Sequence, residues 1–176
     1  MSRHPGPRAE RIYLGLVADY QAAILNFLYR LVGSADQAED LTQETFLRAY
    51  RALGRLELSD EAAPRRRAWL YRIAHNVATD HLRRRSRMAW LPLDVPGLSG
   101  GRSPEGEVAA GDPVRRAMDA LPAEQQTVLL LFSNDGLEAR EVAAVLGISP
   151  AAARKRRQRA REAFMAAYDR ETRGGP

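Results

Sequence analysis

The chain has 176 residues, 45% hydrophobic and 28% charged, which is enough for one ordinary domain or two small ones with modest cores. It contains no cysteine, so disulfides, thiolate metal sites and cysteine nucleophiles are excluded. No run of about eighteen apolar residues is evident and the N-terminal "MSRHPGPRAER" lacks an apolar signal core, so neither membrane insertion nor secretion is expected and a cytoplasmic location is. The formal net charge of +5 favours a polyanionic partner, and its distribution says more than its sum. Residues 64–87 hold eight arginines against the single acid Asp80, and "ARKRRQRAR" at 153–161 holds no acid at all.

In chain order, Ile12, Leu16, Tyr20, Ile24, Phe27, Leu28 and Leu31 recur at helical spacing and predict a first amphipathic helix over about 9–32, ended by Gly33. Ser34 with Gln37 three residues later forms a capping-box pattern that opens a second helix running to about Leu53 and closed by Gly54. Ala38, Leu41, Thr45 and Ala49 can face a core from that helix, while Asp40, Gln43 and Glu44 share one polar face. Pro64 suits the first turn of a third helix, in which Trp69, Leu70, Ile73, Ala74 and Val77 keep the period to about Arg85. From Trp90 to Asp112 the chain is rich in Gly, Pro and Ser without sustained periodicity and reads as a linker.

Beyond the linker, helical runs near 113–120 and 123–133 are punctuated by Pro122, and "SNDG" turns the chain. A short helix ends at Leu146, Gly147 makes a tight turn, Ser149 caps and Pro150 opens a longer helix carrying Arg154, Lys155, Arg156, Arg157 and Arg159. Small Ala143, the glycine turn and the basic second helix together fit a helix-turn-helix that lays its second helix in the major groove of DNA. The bland alternative is a solvated basic face on an ordinary helical hairpin. No strand and no internal repeat is predicted.

The basic third helix differs from the C-terminal one in carrying Trp69, Tyr71, His75, Asn76 and His81 among its arginines, a mixture that suits phosphates together with unpaired bases. Trp69, in phase with Leu70 and Ile73, is expected in the core. For Asn76, His81, Arg83 and Arg84 a solvated face competes evenly with a role in binding. His75 and His81 are six residues apart, not the four that would place them on one face, so no metal and no cofactor is expected. Glu39, Asp40 and Glu44 could in principle hold a hard cation or act as acid and base, but no phosphate loop or nucleophile accompanies them, and the chain is not expected to be an enzyme.

The order of these features, an acidic-amide helix "AEDLTQETFLRAY", a basic aromatic helix "RAWLYRIAHNVATDHLRRR", a linker and a helix-turn-helix, resembles bacterial sigma factors, specifically the small extracytoplasmic-function (ECF, group IV) class, from about Tyr13 to Tyr168. The resemblance implies an all-α fold of two small helical domains joined by a flexible linker, the C-terminal one containing the helix-turn-helix. Its implied organisation is a disordered N-terminus (1–8), a sigma region 2 domain (9–87), a linker (88–112), a region 4 domain (113–170) and a disordered tail (171–176). By that match Asp40, Leu41, Gln43, Glu44 and Phe46 would bind the clamp of the largest subunit of core RNA polymerase. Asn76, His81, Arg83 and Arg84 would bind and open the minus-ten promoter element, and Arg154, Lys155, Gln158 and Arg159 would contact the minus-thirty-five element. The linker would thread through the polymerase, and an anti-sigma factor is a further implied partner.

Two positions depart from the family pattern. Ala153 stands where a branched apolar residue is usual, and Arg157 where Leu or Ile is usual, on a helix whose inward stripe is expected at 153, 157, 160 and 164. Arg157 must therefore snorkel to solvent, pair with an acid such as Glu138 or Glu141, or loosen the docking of its helix. Two rivals of other classes are a dimeric helix-turn-helix repressor or activator, which needs neither the acidic face nor the aromatic basic helix, and an enzyme built on Glu39, Asp40 and Glu44.

Overall fold

The structure is a computed structural model in which residues 6–53, 63–88, 112–134 and 136–173 are described. The chain divides into two compact units, Met1–Gly106 and Glu107–Pro176. Among the described residues there are seven α-helices, one π-helical turn and no strand. Most of the expected linker, the closing Gly54, and the two chain ends at 1–5 and 174–176 lie outside the described residues.

The first unit is built on α1 (Pro7–Val32), α2 (Ala35–Ala52) and α3 (Ala63–Met88), packed against one another in every pairing. The α1–α2 corner follows from its residues. Gly33 takes the left-handed conformation (φ 76°) and returns its N–H to the Tyr29 carbonyl at 2.8 Å, after which the Ser34 side chain accepts from the Gln37 N–H. Ile24, Phe27 and Leu28 of α1 are buried with Ala38, Leu41, Phe46 and Ala49 of α2 and Leu70, Tyr71, Ala74 and Val77 of α3 in the core of this unit. Each fully buried large side chain contributes about 1.5–3 kcal/mol. The Phe27 and Tyr71 rings meet edge to face at 5.6 Å. Thr42 and Thr45, buried polar residues, donate their hydroxyls to the Ala38 and Leu41 carbonyls at 2.7 Å and so leave no unsatisfied oxygen in the core.

Among the described residues one helix, α1, is long and apolar enough by length and composition to cross a membrane. Its Leu16, Ile24, Phe27, Leu28, Leu31 and Val32 are instead buried in the bundle, so a core helix accounts for its composition. Leu14, 60% exposed, is its most open large apolar residue.

The second unit is built around α7 (Pro150–Arg173), which packs against α4 (Pro113–Asp119), α5 (Ala123–Leu129) and α6 (Ala139–Leu146). Ala153, Ala160 and Ala167 are its fully buried positions, a seven-residue repeat of the smallest side chain with a Cβ, and this lets three short helices approach one axis closely. Of the expected inward stripe, positions 153 and 160 are buried, 164 is half-buried and 157 is exposed. The helix α7 continues through residues expected in the tail, and Glu171 there pairs with Arg116 of α4 at 2.6 Å. At the start of the chain, likewise, Pro7 and Arg8 already belong to α1.

The α5 run does not stop at 129 but widens into a π-helical turn at Leu130–Asn134. Leu130 and Leu131 are buried there and the next residue, Phe132, is half-buried.

Candidate polymerase and nucleic-acid interfaces

Asp40 and Gln43 are exposed on α2, and the half-buried Glu44 accepts from Arg48 Nε at 2.7 Å one turn on. Leu41 and Phe46, expected to join them in binding a partner, are 8% and 6% exposed and lie in the bundle core, Phe46 with its ring against Tyr13 at 6.4 Å. The apolar component of that face is Leu47, 42% exposed. Its place on that face is in the sequence, since 40, 43, 44 and 47 are related by i, i+3, i+4 and i+7.

On α3, Asn76, Asp80, Arg83, Arg84 and Arg87 are all exposed and fall at one helical face by the same spacing. Arg48, Asp80, Arg83, Arg84, Ser86 and Arg87 line an open cleft of about 650 Å³ between α2 and α3. Arg48 reaches across it to Asp80 at 3.7 Å while holding Glu44. This partly exposed pair is worth little in stability, but it fixes a cation from α2 beside the arginines of α3. No local sequence signal announces it, because the two residues are far apart in the chain.

His81 is used differently from Asn76, Arg83 and Arg84. Its Nε2 lies 3.1 Å from the Gln37 side-chain oxygen in the first turn of α2, so the ring ties α3 to α2 when that nitrogen carries the proton. Burial foremost, and then the positive charges of Arg85 and Arg84, push its pKa below the ordinary histidine value. A neutral ring at neutral pH is a hydrogen-bonding group rather than a phosphate cation. Trp69, expected in the core, is half-buried.

In the second unit the turn is assembled by short-range bonds. Glu138 and Glu141 close a reciprocal capping box at the start of α6, with Glu141 accepting from the Glu138 N–H at 2.8 Å. Gly147 is left-handed (φ 67°), the Ile148 N–H reaches the Ala143 carbonyl at 3.0 Å, and the Ser149 hydroxyl oxygen accepts from the Ala152 N–H at 3.2 Å. The helix that follows exposes Arg154, Lys155, Gln158 and Arg159 together. Gln158 donates to Glu162 at 3.0 Å, and Arg156 pairs with Glu124 of α5 beside a cleft of about 270 Å³ that Arg159 also lines.

Arg157 resolves the departure noted in the sequence. Its guanidinium carbon stands 4.9 Å from the centre of the Phe132 ring on the π-helical turn, and the residue is exposed. It neither fills the core nor pairs with Glu138 or Glu141; it snorkels onto an aromatic face, an arrangement worth about 0.5–1 kcal/mol at an exposed site. Among the described residues no group of His, Cys, Asp and Glu is placed to hold a metal ion.

Comparison with known proteins finds a separate match for each unit. Residues 16–88 match the Sigma-70 region 2 family and residues 112–164 match Sigma-70, region 4. The chain is 35% identical to the RNA polymerase sigma-H factor of Pseudomonas aeruginosa, over 85% of this chain and 82% of that protein. It is 32% identical to the ECF RNA polymerase sigma factor SigE of Mycolicibacterium smegmatis, over 89% of this chain and 63% of that longer relative. The crystal structure of the sigma factor RpoE with the anti-sigma factor NepR from Bartonella quintana superposes with a TM-score of 0.68 at 20% identity, over 89% of this chain and 96% of that one, a likeness of fold. With both sigma regions matched in order, the chain belongs to the RNA polymerase sigma factors of the ECF class, the promoter-recognition and initiation factors of transcription.

Proposed function

We propose that this chain is a non-catalytic specificity subunit that binds core RNA polymerase through α2, opens the minus-ten element along α3 and reads the minus-thirty-five element as duplex with α7. The observation that carries the reading is the segregation of charge in the first unit: Asp40, Gln43 and Glu44 stand on α2, and Arg83, Arg84 and Arg87 with Asn76 on α3. Carboxylates flanked by the apolar Leu47 suit a partner helix bearing arginines and an apolar edge, such as the clamp of the largest polymerase subunit. An acidic face also repels the DNA backbone, which keeps it for protein. Asn76, with both donor and acceptor, suits the edge of an extruded base, and Arg83 and Arg84 suit the phosphates of the strand around it. His81 supports this indirectly by holding α3 to α2.

Arg154, Lys155, Gln158 and Arg159 contact the upstream duplex in this reading. Each unit binds weakly alone, and joining both on one polymerase turns the second contact into an intramolecular one. The working location is the cytoplasm, where polymerase and promoter are. An anti-sigma factor is a proposed partner, since the Bartonella relative is seen bound to one.

The test is transcription in vitro by bacterial core polymerase with and without the protein, in wild type and in Asp40→Ala, Glu44→Ala. The double variant should keep its fold and bind core polymerase about tenfold or more weakly, as expected for losing two charge-assisted contacts. Initiation that does not depend on the protein would end the proposal, and undiminished polymerase binding by the double variant would end the assignment of the α2 face. A dimeric repressor would shift neither readout.

A further inference from the structure

Successive residues of α7 are turned by about 100° around its axis. Measured from the buried Ala160, Gln158 then points about 160° away, at the apex of the outward surface. The six cations of 154–161 fall on the two flanks between. Arg157, Arg161 and Arg154 lie at about +60°, +100° and +120°, and Arg156, Arg159 and Lys155 at about −40°, −100° and −140°. A helix seated in a major groove has a phosphate backbone along each side, so each flank faces its own strand. On the second flank Arg156 is tied down by Glu124. On the first, no carboxylate among the described residues pairs with Arg157, and Phe132 holds its guanidinium by one face.

We infer that Arg157 is a phosphate-binding residue, preset by Phe132, that completes the Arg154 and Arg161 flank against one strand of the DNA duplex. Stacking occupies the π-face of a guanidinium and leaves the N–H edge for an acceptor. The ring removes rotamer freedom before DNA arrives, so less is lost on binding. The replacement of an apolar seat by arginine thus exchanges core packing for a strand contact, and the π-helical turn at Leu130–Asn134 supplies the ring that makes the exchange workable. The inference rests on the reading of α7 as the duplex-reading helix.

The test uses the full chain with a fluorescent mixed-sequence 30-base-pair duplex, whose phosphates suffice as the probe, and follows anisotropy between about 50 and 200 mM KCl. Four variants are compared: Arg157→Leu, Arg157→Lys, Phe132→Leu, and Arg154→Ala with Lys155→Ala. Arg157→Leu restores an apolar seat and should melt no lower than the parent, bind about fivefold more weakly and flatten the slope of log K against log salt by about one. Phe132→Leu keeps the charge and hence the slope, but should bind about twofold more weakly through lost presetting. Arg157→Lys should keep the slope and fall between the two. If Arg157→Leu binds with unchanged affinity and slope while the Arg154, Lys155 variant is impaired, the inference is overturned and the DNA-reading role of α7 stands. If the Arg154, Lys155 variant is also unimpaired, that role fails and the inference falls with it. A Phe132→Leu protein that binds like the parent would leave Arg157 a phosphate ligand and remove the presetting.

Discussion

The two units solve the same problem, presenting charge on a small helical frame, with opposite materials. In the first, large side chains such as Ile24, Phe27, Leu28 and Tyr71 fill a core shared by three long helices, and the exposed acidic and basic faces are divided between two of them, α2 and α3. In the second, three buried alanines on α7 bring short helices against one axis, and the basic surface sits on that same helix. A helix that buries only one narrow stripe gains from alanine, because the smallest apolar contact width leaves the most circumference for the exposed Arg154, Lys155, Gln158 and Arg159. The first unit can afford a wide apolar stripe, since α2 and α3 divide the exposed work between them.

The comparison is broken most severely in the first unit by Leu28→Ala. This side chain is fully buried, and the loss should be about 2–5 kcal/mol, measured by denaturant unfolding followed at α1–α3 amides. The converse change in the second unit, Ala160→Leu, forces extra methylenes into a fully buried position on α7. It should cost about 1–3 kcal/mol and weaken duplex binding by shifting the short helices, whereas an unchanged melting temperature would show that the alanine stripe is not tightly packed.

The smallest expected effect sharpens the account of α3. The pKa of His81 is lower in the folded chain than in the unfolded one, so on acidification the unfolded chain takes up the proton first. Stability is therefore full above about pH 6.5 and falls as pH drops through the unfolded value toward the folded one. His81→Gln should remove this small slope in melting temperature between about pH 7.5 and 5.5, and an identical slope in the variant would place its origin elsewhere.

Helical periodicity made α1, α2 and α3 legible, and the glycine and serine signals at Gly33, Ser34, Gly147 and Ser149 marked the corners where the structure has them, because such signals act over one helical turn. The exposed face of Asp40, Gln43 and Glu44 was legible for the same reason. Leu41 and Phe46 turn into the core, which the sequence did not announce, because a motif says which residues recur together and not which of them turn inward. Leu47, exposed one turn beyond Gln43 and Glu44, is the complementary case.

By itself, then, the sequence determined the all-helical frame, the acidic and basic segments and their order, since propensity, capping and periodicity are local. Only the tertiary structure decided which members of each segment are side by side. Arg48 meets Asp80, His81 meets Gln37, and Arg157 meets Phe132 across turns and helices that bring distant positions within a few ångströms. Contacts of that kind depend on where the helix axes lie, which the packing of Phe27 and Leu28 in one unit and of Ala153 and Ala160 in the other sets.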